Sequence, residues 1–236
     1  GVFTNPTLLE TAGVEEFAGG DWEDYDDWMD EVTEAGAGEF WGGSDWTGRI
    51  QNFELQLRSE GKNLFDEDGT PGFDEDRLKE FWESGDDIRD GVVVPQQVVE
   101  ELNPLTAFDA AKNASEMTWD NFGAGYLANL GESYTELGLV APPVTKEGEK
   151  DLYLKPSMLH TISAKTEHPE AAATLVNFLV NSPESGEIFG TNRGLPASET
   201  ALEAAELDPM SQIVKDYEES IADRLGDAPP LSLIHI

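Results

Sequence analysis

The stretch from Leu159 to Ala197 constrains the fold more than any other part of this chain. Leu159-His-Thr-Ile-Ser-Ala164 is an apolar run, which predicts a buried strand. Pro169 follows where a first helical turn tolerates a missing N–H. Ala172, Leu175, Val176, Leu179 and Val180 then recur at i, i+3, i+4, i+7 and i+8, the apolar stripe of a helix. Asn181-Ser182-Pro183-Glu184 stops that helix and starts another, with Ser182 as N-cap and Pro183 at the first helical position. Arg193-Gly-Leu-Pro-Ala197 is a turn beyond it.

The same alternation runs through the rest of the chain. Asp21 caps a helix with the stripe Tyr25, Trp28, Met29, Val32, Gly36 to Gly43 is a Gly-rich turn, and Gly42-Gly43-Ser44 within and after it reads as a flexible loop. Trp46, Ile50, Phe53 and Leu57 mark a second helix, and Asp74 caps a third with Leu78, Phe81, Trp82 and Ile88 inward. Thr106 to Asn113 reads as a short helix, Glu116 to Trp119 as a strand, and Asn121 to Leu130 as the helix after it. Leu137 to Pro143 is an extended crossover, and Asp208 caps the last helix. Strands alternating with helices predict an α/β fold with a mostly parallel sheet.

With 14 basic against 49 acidic residues the net charge is −35, which repels nucleic acid and anionic membrane and excludes both as partners. The acids are scattered over helix faces, so a solvated acidic surface accounts for them better than a cation site. There is no Cys, hence no disulfide, thiolate metal site or Cys nucleophile in the segment. The run Asp66 to Asp76 departs from the EF-hand pattern, and no metal or other cofactor is expected. Among catalytic and nucleotide motifs, GxSxG, HExxH, the phosphate-binding loop and the dinucleotide fingerprint are all missing, so no catalytic residue is assigned.

The order of elements from Leu159 onward resembles the family 1 extracellular solute-binding proteins, the sugar-binding receptors of ABC importers, in which a strand ending ISK or ISA precedes hPEAA…FL.sPE and G.LPA. Trp46 to Gly61, Asn63 to Asp76, Ala107 to Met117 and Pro142-Pro143 are similar to family stretches in the same order. Two departures stand out: Asn113 replaces a small residue, and Asn121-Phe122-Gly123 replaces the usual Gly-x-Trp. Gly1 to Val14 resembles a motif that lies well inside family chains, which implies that the family's N-terminal portion, with its signal peptide and any lipobox, lies outside this segment. Leu231 to Ile236 reads as a non-native tail.

The resemblance implies a periplasmic-binding-protein-like two-lobe fold of type II, with most of the second lobe and part of the first present. Residues 1–144 would be the second-lobe α/β domain, 145–205 the return to the first lobe with its hinge crossover, and 206–230 a C-terminal helix. The implied function is binding of a mono- or oligosaccharide by hinge closure, without catalysis, in a monomer. Its partners would be permease subunits, at the cell surface or in the periplasm, with membrane contact only through an upstream lipid anchor. A secreted carbohydrate-active enzyme and a same-fold receptor for a polyamine or peptide are the alternatives.

Sugars are held by aromatic faces and planar polar groups. The candidates are therefore Trp41, Ser44 and Trp46 around the Gly42-Gly43 turn, and Trp119, Asp120, Asn121 and Phe122 at the end of the 116–119 strand. Alternation along that strand turns Trp119 and Asp120 to opposite faces, so at least one of them is structural. Arg193, one of six arginines, is a candidate for a carboxylate or a ligand hydroxyl. His160 in the apolar run reads as a core histidine, with a ligand role as the alternative; Ser157 shares that segment.

Overall fold

The computed structural model describes residues 1–66, 68–155, 158–191 and 194–229. Arg193, Ser157 and the tail 231–236 therefore lie outside the described residues. The chain divides into two compact units, residues 1–154 with 217–236, and residues 155–216.

The first unit opens with strand β1 (Val2–Thr4) and helix α1 (Pro6–Ala12), and continues with α2 (Trp22–Gly36), α3 (Ile50–Ser59), α4 (Glu75–Glu83), α5 (Asp86–Arg89) and α6 (Gln96–Leu102). Strand β2 (Ser115–Met117), helix α7 (Gly123–Leu130) and strand β3 (Gly138–Val140) follow. The second unit holds α8 (Pro169–Asn181), α9 (Pro183–Phe189) and α10 (Glu199–Ala204), and the division falls inside α11 (Pro209–Ser220).

The helix starts follow their capping chemistry. The Asp21 carboxylate accepts from the N–H groups of Glu23 and Asp24, and Asp24 Oδ2 accepts from the Asp21 N–H in return, a reciprocal box that holds the first turn of α2. The α2 stripe then packs inward: Tyr25, Trp28, Met29 and Val32 are all buried, beside Phe53 and Leu57 of α3 and Phe81 of α4. On the outer face of α4, Trp82 is 52% exposed, so the inward assignment of that ring fails; Phe81 and Ile88 fill the core from this segment.

The sheet order is β2-β1-β3, and both pairings are antiparallel, with Val2 opposite Met117 on one side and Val140 on the other. The expectation of a mostly parallel sheet is corrected here. Parallel pairing is confined to single bridges, Trp41 with Asn113, Gly43 with Val93 and Leu152 with Leu225. Thr106 to Asn113 forms turns, not a helix.

The 42–43 segment is not a flexible turn. A Cβ on Gly42 would sit 2.2 Å from the Met29 carbonyl oxygen, so only glycine lets this backbone lie against α2. Thr33 Oγ1 accepts from the Gly42 N–H, and Ser115 Oγ donates to its carbonyl, fixing the segment beside β2.

The first unit runs past residue 144 because Leu152 pairs with Leu225 and packs against Tyr217 and Ile221. Arg224 clamps the same region: it donates to Asp151 Oδ2 at 2.6 Å and to the carbonyls of Pro142 and Pro143.

In the second unit Ser182 Oγ accepts from the Glu184 N–H at 3.2 Å, with Pro183 at the first position of α9, as its sequence dictates. A Cβ on Gly186 would meet the Ala201 carbonyl at 2.2 Å, so α9 and α10 touch backbone to backbone. Residues 158–163 form no strand and are exposed, Leu159 by 62%, and His160 is exposed with them. A run needs a partner strand to become one, and among the described residues none pairs with it. The α8 stripe is likewise uncovered, with Leu175 57% exposed.

Candidate functional site

The register places the last residue of β2, the last of β3 and the first of β1 at one end of the sheet. Thr118 to Phe122 and Ala141 to Thr145 both leave from that end. Side chains from α3, α7 and the 151–154 segment join them there.

One part is an aromatic shelf. Trp119 meets Tyr153 edge to face, with centroids 6.0 Å apart. The Arg58 guanidinium lies 4.9 Å over the other ring, and Tyr153 donates its hydroxyl to Glu54 Oε2 at 2.7 Å. Glu54 and Arg58 stand one turn apart on α3, which brings carboxylate and guanidinium to the same phenol. Burial pushes the Tyr153 hydroxyl far above its usual range, and the Glu54 charge adds to it, so this phenol stays protonated. Arg58 also donates to the carbonyls of Asp151 and Asp227, and contacts no carboxylate among the described residues.

The second part centres on Glu116, in the middle of β2 and only 2% exposed. Ser44 Oγ donates to its Oε2 at 2.6 Å, Asn113 Nδ2 approaches the same oxygen at 3.3 Å, and Arg49 Nη2 donates to Oε1. Asn113 Nδ2 also donates to Ser44 Oγ, while its Oδ1 is buried with no partner among the described residues. Arg49 caps the start of α3 with its side chain 40% exposed. Beside it, burial and the Glu116 charge raise the Tyr126 hydroxyl, and Arg49 opposes them. Phe122 covers the Tyr126 ring at 5.9 Å and is itself 46% exposed.

The sequence-predicted residues separate accordingly. Trp119 stands on the shelf and Phe122 against Tyr126, Asn121 is exposed between them in sequence, and Asp120 is half-buried beside Glu218, whose carboxyl burial and Asp120 push up to about 7. Ser44 is part of the Glu116 network. Trp41 is half-buried and pairs by its backbone with Asn113. Trp46 belongs to the core: it is 3% exposed, lies 4.5 Å from Trp22 and 5.7 Å from Phe81, and donates to Asp26 at 2.7 Å. It lines a groove over α2 and α4 together with Trp22 and stands away from the sheet end.

Sequence reasoning missed Arg49, Arg58, Glu54, Tyr153 and Glu116. Signals existed for two of them: a charged residue inside a buried strand needs a partner, which marks Glu116, and scarce arginine marks Arg49.

A separate groove of about 780 Å³ opens over α2 and α4, lined by Trp22, Arg77, Asp26, Asp27, Asp30 and Glu80 among others. Burial, with the nearby Asp27, Asp45 and Asp87 charges, pushes Asp26 up to about 6 against the Trp46 hydrogen bond. No group of three His, Asp or Glu side chains suited to a metal ion occurs among the described residues. No helix among them is long and apolar enough to cross a membrane.

A family model described as bacterial extracellular solute-binding protein matches residues 1–184. Solved structures agree. A family 1 extracellular solute-binding protein from Alicyclobacillus acidocaldarius is 26% identical with a TM-score of 0.75, covering 98% of this chain and 59% of its own. A periplasmic oligogalacturonide-binding protein from Yersinia enterocolitica, solved with saturated digalacturonic acid, is 22% identical with a TM-score of 0.68, covering 94% and 56%. An ABC substrate-binding protein from Listeria monocytogenes, solved with cycloalternan, is 18% identical with a TM-score of 0.63, covering 92% and 56%. The fold is thus the α/β fold of solute-binding proteins, and the chain belongs to the bacterial extracellular solute-binding protein family. Its 236 residues span about three fifths of the Alicyclobacillus protein's length.

Proposed function

We propose that this chain is part of the substrate-binding receptor of an ABC importer, that the solute is a carbohydrate, and that no catalysis accompanies binding. The observation that carries the reading is the sheet-end face, where Trp119, Tyr153 and Phe122 offer rings beside Arg49 and Asn121. Rings of this kind take the C–H faces of a pyranose, and planar polar groups take its hydroxyls. The saccharide ligands of the Yersinia and Listeria proteins support the same class. Trp119, Asn121 and Phe122 are the residues proposed to touch the sugar; Asp120 and Ser44 stand beside them, and Trp41 is kept as a flanking candidate.

In the whole receptor, binding would proceed by closure of two lobes about a hinge, presenting the closed form to permease subunits outside the cytoplasm. Residues 155–205, not the stretch from 145 onward, are proposed to return to a lobe drawn mainly from the part of its relatives' length that this chain does not span. The unpaired run 159–164 and the uncovered α8 stripe support that assignment.

Isothermal calorimetry of the restored full-length receptor against a panel of neutral and acidic sugars tests the reading. Heat with at least one sugar at micromolar affinity, about −8 kcal/mol, is the expected result. Hydrolysis of a glycoside without saturable binding would sink it.

A further inference from the structure

We propose that Arg49 reads a carboxylate on the solute, so that the ligand is an acidic saccharide bearing a uronate rather than a neutral sugar. This rests on the carbohydrate reading above and narrows it.

The argument starts from charge. The chain carries −35 overall, and Arg77, Arg89 and Arg224 are each taken up by a carboxylate. The sheet-end face is different. Glu116 is buried and engaged by Arg49, Ser44 and Asn113, and Glu54 by Tyr153, while Asp120 lies beside Glu218, whose carboxyl is pushed up to about 7 and so is partly protonated at neutral pH. Arg58 has no carboxylate partner among the described residues. The opposite case is the groove over α2 and α4, whose many carboxylates face Arg77 alone and repel an anion.

Arg49 has the geometry for the task. Only Nη2 is spent on Glu116; Nε and Nη1 hydrogen-bond to nothing among the described residues, and the side chain is 40% exposed. Glu116 fixes one arm of the fork from a buried strand, so little freedom remains to be lost when the other arm meets a ligand. The free N–H groups suit a planar carboxylate, whose charge-assisted hydrogen bonds are about twice as strong as neutral ones. Phe122, 46% exposed and lying 5.9 Å from the buried Tyr126 ring, supplies the ring surface for the attached pyranose.

The test uses two matched sugar pairs that differ only at C6, galacturonate against galactose and glucuronate against glucose. Each is titrated into the restored full-length receptor and followed by NMR at the Arg49 side-chain N–H and the tryptophan indoles. The expected result is binding of each uronate about tenfold tighter than its neutral partner, the difference of one charge-assisted contact. Arg49→Lys keeps a cation on Glu116 but loses the fork, and is expected to bring that ratio close to one. Should Arg49→Lys fail to fold, the double variant Arg49→Gln/Glu116→Gln removes the fork without stranding a buried charge, and the same ratio is read. Equal affinity within the pairs, or a preference that survives both variants, overturns the charge assignment and leaves the carbohydrate reading intact. No perturbation by any of the four sugars overturns both.

Discussion

Asp26 joins three properties at one residue. It accepts from Trp46 Nε1, it stands in the acidic groove, and burial among other acids raises its carboxyl to about 6. A carboxyl raised in the folded state binds more protons there than in the unfolded chain across the window between the two values. Its ionisation therefore opposes folding above about pH 6, and stability rises as pH falls from about 6 towards about 4. Asp26→Asn keeps an oxygen for the indole and removes the charge. Since the carboxyl is partly solvated, the gain at pH 7 is about 1 kcal/mol. Urea denaturation at pH 7 and pH 5 checks this: the gain is expected at the higher pH and is expected to shrink at the lower. The same residue explains why the burial of Trp46 was not legible in the sequence. An aromatic beside Gly42-Gly43 reads as a loop ring, but its partners, Asp26, Trp22 and Phe81, come from helices whose packing no local pattern reveals. The place of Trp119 and Phe122 at the end of the sheet was legible because they follow β2 within five residues.

Among the helices, period and caps were enough. The α2 stripe is buried as its spacing demands, and Asp21, Ser182 and Asp208 cap the helices they precede. Strands were less legible, because β1 pairs with residues more than a hundred positions away and each strand is three residues long. Nothing in so short a run states whether its neighbour is parallel. The α8 stripe shows a related limit: periodicity identifies the apolar face, but not what covers it. Leu175 is 57% exposed, so Leu175→Glu in this chain is expected to cost under about 0.5 kcal/mol by urea denaturation. A loss of about 2 kcal/mol or more would mean that the face is packed. The same substitution in the whole receptor is expected to be the costly one, if residues outside this chain cover α8 there.

Across the whole molecule the 49 acidic side chains repel one another in the folded state more than in the expanded chain. The ion pairs formed by 14 basic residues cannot offset this, and several of those pairs are exposed and contribute little. Folding is therefore expected to strengthen as salt screens the surface. The shape of that dependence separates screening from the general exclusion of salt from protein surface. Screening acts mostly at low concentration, because the Debye length falls from about 30 Å at 0.01 M to about 10 Å at 0.1 M and about 3 Å at 1 M. Surface exclusion instead grows steadily with concentration. The midpoint of thermal unfolding, followed by circular dichroism at increasing KCl, is expected to climb steeply up to about 0.5 M and then flatten. At about 2–4 °C per kcal/mol for a chain of this size, the rise is several degrees. A midpoint that stays flat below about 0.5 M KCl would show that the acids are spaced widely enough for water alone to screen them.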